Sequence, residues 1–248
     1  IITYHYSKGD PHRGCAGFCY DTDAARAHTY TIKQQVEHTF GGGHGTVYPI
    51  VCGFETDDDA LILHTETRQL EKRKDLYLDL SGIAQGFAAD KVAAALEALG
   101  IQRYLVEING EMRIGHAKAA DHPWRVAVER PVEALHTVDR VFEVVDIAVA
   151  TSGDYRNYFE FEGKRYSHTI DPRTGRPIEH ALVSATVLGP NCAEVDAWAT
   201  AMMVLGPEQG LAVAEANGLA VYMLIKVGDR FEARHSSAFA PYLKSPVL

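Results

Sequence analysis

Beyond Asp75 the apolar residues recur with periods of two and of about 3.6, predicting strands and helices in mixed order. Leu76-Tyr77-Leu78-Asp79-Leu80 alternates as a short strand, and Ser81-Gly82 turns the chain. Ile83, Phe87, Val92, Leu96 and Leu99 then follow helical spacing, which Gly100 stops. Strands are expected over 104–108, 124–129, 144–150 and 182–188. An almost wholly apolar stretch from Cys192 predicts a helix to Leu205. A second helix follows from Pro207 to Asn217, closed by Gly218, and then a strand over 219–226. Residues 1–74 are rich in His, Thr, Gly and Asp and have weak periodicity. Within them Gly41-Gly42-Gly43-His44-Gly45 is a loop, and Asp57-Asp58-Asp59 turns into a short strand. No repeat or low-complexity linker interrupts the chain, and helices do not alternate regularly with strands. The expectation is an α+β fold in a single domain over residues 1–248.

Four segments carry polar groups where the pattern alone does not ask for them. In the helix from Val195 to Leu205, Val195, Trp198, Met202 and Leu205 form one stripe, while Asp196 and Thr200 share another face. A carboxylate in so apolar a helix is costly to bury without a partner. A hard cation held by carboxylate and hydroxyl oxygens would be one, and Mg2+ is the usual choice beside phosphates. A helix cap, or an Asp satisfied by protein groups, explains the same residue. In Asp79-Leu80-Ser81-Gly82-Ile83-Ala84-Gln85-Gly86 a strand turns into a helix whose first amides point outward, an arrangement that attracts anions. A plain strand–turn–helix junction has the same sequence character. Neither G-x-G-x-x-G nor a Walker A motif occurs. The third segment, Ser167 to Pro177, places His168 before an Asp-Pro-Arg-Thr-Gly turn, where it is a candidate general base or a packing residue. The fourth runs from Ala150 into Thr151-Ser152-Gly153-Asp154-Tyr155. Its hydroxyls and amides suit a phosphate or ribose and Tyr155 or Tyr158 suits a ring, although a capped turn with core tyrosines fits equally.

Composition narrows the classes further. The 248 residues are 46% hydrophobic and 23% charged, and the net charge of -9 leaves no basic footprint for nucleic acid. No apolar run approaches the roughly 18 residues that span a bilayer. The chain does not open with a basic and then apolar leader, so no export signal is expected within it. Cys15, Cys19, Cys52 and Cys192 are scattered and form no zinc framework, so unpaired thiols are expected.

In register, the four segments resemble the ApbE family of FAD:protein FMN transferases. The matching text is Asp79 to Asp90 (DLSGIAQGFAAD), Ala150 to Tyr155 (ATSGDY), Ser167 to Pro177 (SHTIDPRTGRP) and Asp196 to Thr200 (DAWAT) with Leu205-Gly206-Pro207. The resemblance covers roughly residues 75–245, and residues 1–74 match poorly. It implies mixed, T-fold-related sheets with packed helices and an FAD site in a cleft between lobes. It also implies Mg2+ at the FAD pyrophosphate, with Asp196, Thr200 and the Gly82 carbonyl as ligands. Asp79, Gln85 and Ile170 fall at FAD-contacting positions, where the family usually has Lys in place of Gln85. Ser152 and Tyr155 are further candidates for holding FAD. His168 takes the catalytic position, with Asp171 as its orienting partner. The implied reaction moves FMN from FAD to a Thr or Ser hydroxyl of a flavoprotein subunit and releases AMP. Water as acceptor would make the protein an FAD pyrophosphatase, and a non-catalytic FAD-binding protein is the remaining reading. Such proteins are commonly periplasmic, many through a lipid anchor.

Overall fold

The computed structural model describes residues 50–52, 61–64, 66–67, 69–73, 77–119, 122–130, 137–153, 158–161, 164–171 and 176–244. The glycine-rich loop at 41–45, Cys15, Cys19 and Tyr155 lie outside these residues. The described residues form two compact units. The smaller draws on residues up to Leu80 and on Ile170–Ile178. In it β1 (Ile50–Cys52) pairs antiparallel with β4 (Tyr77–Asp79), and β2 (Leu61–His64) pairs with β3 (Gln69–Lys72). The two-residue strands β12 (Ile170–Asp171) and β13 (Arg176–Pro177) form a third pair.

The larger unit, Ser81–Thr169 with Glu179–Leu248, is built on one six-stranded antiparallel sheet. Its strands are β5 (Leu105–Ile108), β6 (Glu111–Ile114), β9 (Ile147–Gly153), β14 (Leu182–Gly189), β15 (Ala220–Val227) and β16 (Arg230–His235). They lie in the order β16-β15-β14-β9-β6-β5. Two helices, α1 (Ala84–Ala98) and α2 (Cys192–Asn217), pack on the sheet. The hairpin β7 (Trp124–Arg130) and β8 (Thr137–Val144) and a 3-10 helix (Ser237–Lys244) complete a second core on the other face. A short hairpin, β10 (Tyr158–Phe161) with β11 (Lys164–Ser167), precedes His168.

Register determines which residues share a face. Leu188, Tyr222, Leu224, Val149 and Ile114 point to the core around Phe142 and Phe239. Ala185, Val187, Val221, Met223, Ala148 and Ala150 are buried on the opposite, helix-bearing face. A sheet covered on both faces needs apolar residues at every position, which is why 182–188 and 219–226 read as unbroken apolar runs. Each buried Val, Leu, Ile or Met among them stabilises the fold by about 1.5–3 kcal/mol.

One expectation changes. The single strand expected over 144–150 is the end of β8 and the start of β9, split by a turn at Val145-Asp146 in which Asp146 has φ 51. The turn lacks Gly and Pro, so hydrophobicity alone ran the strands together. The two helices expected on either side of residue 206 are present as the two halves of α2, separated by the non-helical Gly206 at φ 76 and ψ 178, with Pro207 opening the second half. Proline has no N–H to donate to the Met203 carbonyl one turn back. His180 supplies that bond instead: its Nε2 donates to Met203 O at 2.6 Å while its Nδ1 accepts from the Leu182 N–H at 3.3 Å. The expectations for α1 and for the strands over 104–108, 124–129, 182–188 and 219–226 agree within a residue or two. Among the described residues no helix is long and apolar enough to cross a membrane, and Cys192 is a buried free thiol.

Candidate active site

The site forms where the first turns of the two helices meet. Ile83 stands at the N-cap of α1 and has no side-chain acceptor to offer. A capping residue would normally accept from the second or third helical N–H. Here Asp196, on α2, does so: its Oδ2 accepts from Gly86 N–H at 2.9 Å. The relation is reciprocal. Asp90, on α1, accepts from Cys192 N–H at 3.0 Å and from Ala193 N–H at 2.9 Å, while Asn191 caps Glu194 N–H at 3.0 Å. The two helices therefore satisfy each other's orphan donors with carboxylates, the favoured charge at a helix N-terminus. Gly86 makes this approach possible, because a Cβ there would collide with the Cys192 carbonyl and lie 2.8 Å from Asp196 Cβ.

Around that junction the sheet and helices gather oxygens. Asp196 is 3% exposed, and burial pushes its carboxyl up to about 6 against the opposing pull of the Gly86 N–H. Among the described residues Gly86 supplies the one hydrogen bond to this carboxylate, on Oδ2. Thr200, one turn on, has its Oγ1 3.3 Å from Ser152 Oγ on β9. Ser152 lies beside Ala185 on the helix-bearing face. Gln85 Oε1 is buried with no hydrogen-bond partner, and so is Glu111 Oε2. Glu111, 8% exposed, is raised to about 8 by burial first and by the Asp196 charge second. Gly82 sits in the turn leading into α1.

A buried carboxylate, two hydroxyls, an amide oxygen without a donor and a turn carbonyl are hard ligands. That set fits Mg2+ and suits neither zinc nor a soft metal. Among the described residues no group of three His, Cys, Asp or Glu side chains is arranged to hold a metal. Any cation here would rely on Thr, backbone and amide oxygens beside the carboxylate.

The expected residues thus divide. Gly82, Gln85, Ser152, Asp196 and Thr200 belong to the larger unit, with Ser152 directly linked to Thr200 and Asp196 to the start of α1. His168, also in that unit, is partly buried just after β11, where Ser167 Oγ accepts from Thr169 N–H at 3.2 Å. Ile170 and Asp171 form β12 of the smaller unit, paired with Pro177 and Arg176. Asp79 ends β4 opposite Ile50. Sequence reasoning read Gly86 as room for a close backbone approach to a ligand, where the structure brings the α2 backbone instead, and it missed Asp90 and Glu111. Glu111 had no signal: it alternates with Arg113 on β6, a polar pair that reads as an outer face, and only the helices packed on that face bury it.

Fold and site together define an α+β protein with an oxygen-lined, carboxylate-bearing helix junction. The chain belongs to the ApbE family, whose model matches residues 54–223. It is 50% identical over 169 residues to the FAD:protein FMN transferase of Vibrio cholerae, covering 68% of this chain and 51% of that protein. It is 48% identical over 171 residues to the enzyme of the same name from Escherichia coli, covering 69% and 49%. Among solved structures, the apo form of the Pseudomonas stutzeri flavinyl transferase ApbE superposes with a TM-score of 0.67 at 42% identity, covering 77% of this chain and 58% of that one. The flavin transferase ApbE of Vibrio cholerae gives 0.67 at 44% identity, covering 75% and 59%. The chain spans about half the length of the curated relatives it matches.

Proposed function

We propose that the protein transfers the FMN moiety of FAD to a Thr or Ser hydroxyl of an acceptor flavoprotein in a Mg2+-dependent reaction that releases AMP. Two things support the reading: the names of the relatives that match this chain, and the buried Asp196 carboxylate at the α1 junction with Thr200 and Ser152 beside it. The junction is the observation that carries it. So buried a carboxylate among hydroxyls, raised toward 6 by burial, is stabilised by a counter-charge. Asp196, Thr200 and the Gly82 carbonyl would hold the cation. When bound, the cation supplies positive charge at the bridging phosphates.

His168 takes the proton of the incoming hydroxyl, and Asp171 orients it. The hydroxyl oxygen forms a bond to the FMN phosphorus as that phosphorus parts from the bridging oxygen, which leaves with AMP. Asp79, Ile170, Ser152 and Tyr155 complete the FAD contacts in this reading. On the same reading the protein works in the periplasm or cell envelope.

The test is incubation with FAD, Mg2+ and a Thr-containing acceptor peptide, followed by mass spectrometry. An FMN adduct on the peptide is expected. Free FMN and AMP without adduct would instead make it a pyrophosphatase, and intact FAD would make it a carrier.

A further inference from the structure

The site described so far leaves Glu111 unexplained. This side chain stands on β6, where Met112 pairs with Val149 and Arg113 with Ala148 of β9. Continuing that register by one residue sets Glu111 beside Ala150, on the face that carries Ser152 and the two helices. Diagonal neighbours on one sheet face lie about 7–8 Å apart, within reach of a Glu side chain and one intervening ligand. The first turn of α2 lies over this stretch of β6, because Cys192 Sγ donates to Met112 O at 3.3 Å. Asp196 is one turn further along the same helix.

Two carboxylates therefore share one buried zone, and the Asp196 charge acts on Glu111. Arg113, two residues along β6, directs its Nε to Asp90 at 3.7 Å. A fully buried carboxylate oxygen with no donor is costly. Glu111 Oε2 is such an atom, and Gln85 Oε1 is another.

We propose that Glu111 is a positioning residue of the cation site: its carboxylate holds the divalent ion of the Asp196–Thr200 pair through a bound water. This rests on the cation reading above and goes beyond its ligand set. The ion removes the repulsion between the two carboxylates, and the water gives Glu111 Oε2 its missing donor. Outer-shell partners of this kind orient the inner ligands and raise affinity.

The test uses the whole chain with Glu111→Gln, which keeps shape and hydrogen bonding but removes charge. Mn2+ binding is followed by electron paramagnetic resonance and Mg2+ binding by calorimetry, alongside thermal unfolding in EDTA. The variant is expected to unfold in EDTA at about the wild-type temperature, since Gln keeps the shape of the side chain, yet to bind Mn2+ about ten- to hundredfold more weakly. Affinity within about twofold of wild type overturns the assignment, and so does a parallel loss of stability in EDTA, which marks a structural role. Asp196→Ala separates the two readings. If it abolishes Mn2+ binding while Glu111→Gln binds normally, only the Glu111 assignment fails. If Asp196→Ala binds like wild type, the cation site itself fails and this proposal with it.

Discussion

Replacing Gly86 with alanine sets two ordinary rules against each other. Alanine is the better helix former by about 1 kcal/mol, so the substitution in α1 should stabilise on propensity alone. The added Cβ, however, would collide with the Cys192 carbonyl oxygen and lie 2.6 Å from the Cys192 carbonyl carbon and 2.8 Å from Asp196 Cβ. Two of these three atoms belong to backbone, and that backbone is pinned by Asp90 through two N–H bonds, so no side-chain rotation relieves the overlap. The helices must part, which costs about 1–3 kcal/mol in overpacking. Parting also weakens the Gly86 N–H bond to the buried Asp196 carboxylate, worth about 1.5–3 kcal/mol as a bond to a charged group. After the propensity gain, a net loss of about 2–5 kcal/mol is expected. Urea unfolding followed by circular dichroism reads it as a lower midpoint with an unchanged slope. A midpoint at or above that of wild type would refute the close backbone crossing on which the whole junction rests.

Asp90→Ala should destabilise by about 1–3 kcal/mol, because it leaves two N–H groups at the start of α2 without an acceptor; calorimetric unfolding measures it. Metal-free protein should lose stability as pH rises. The folded state holds the Asp196 proton to about 6 and the Glu111 proton to about 8, whereas the unfolded chain releases both near their ordinary carboxylate values. The unfolded state therefore binds fewer protons between about pH 4 and 8, and stability falls across that window, by about 3 kcal/mol from Asp196. Melting temperature against pH in EDTA tests the sign, saturating Mg2+ should flatten the slope, and a rise of stability through the window would contradict it. His168→Ala should lower the transfer rate by about a hundredfold or more while FAD affinity stays nearly constant; equal losses in both would make His168 a binding residue. Trp198→Ala should cost only about 1–2 kcal/mol in urea unfolding, below the usual core value. Trp198 is partly buried and lines a surface cavity of about 400 Å³ with Val195, Leu219 and Tyr242.

Sequence by itself determined most of the local structure of the larger unit and most of the chemistry of its junction. The 3.6 period marks α1, the Gly206-Pro207 pair marks the break in α2, and unbroken apolar runs mark the doubly covered strands. Asp196 and Thr200, one turn apart in an apolar helix, were legible as a pair because helical spacing is local geometry. What covers the pair was not. Only the tertiary structure decided that Asp196 caps a helix 110 residues away, that Asp90 returns the cap, and that Ser152 meets Thr200 from a neighbouring strand. It also decided that Glu111 stands inside and not at the surface, since a strand alternation says which residues share a face but not which face is covered. Spacing along a chain encodes periods, whereas the partner of a buried charge depends on which distant segments pack together.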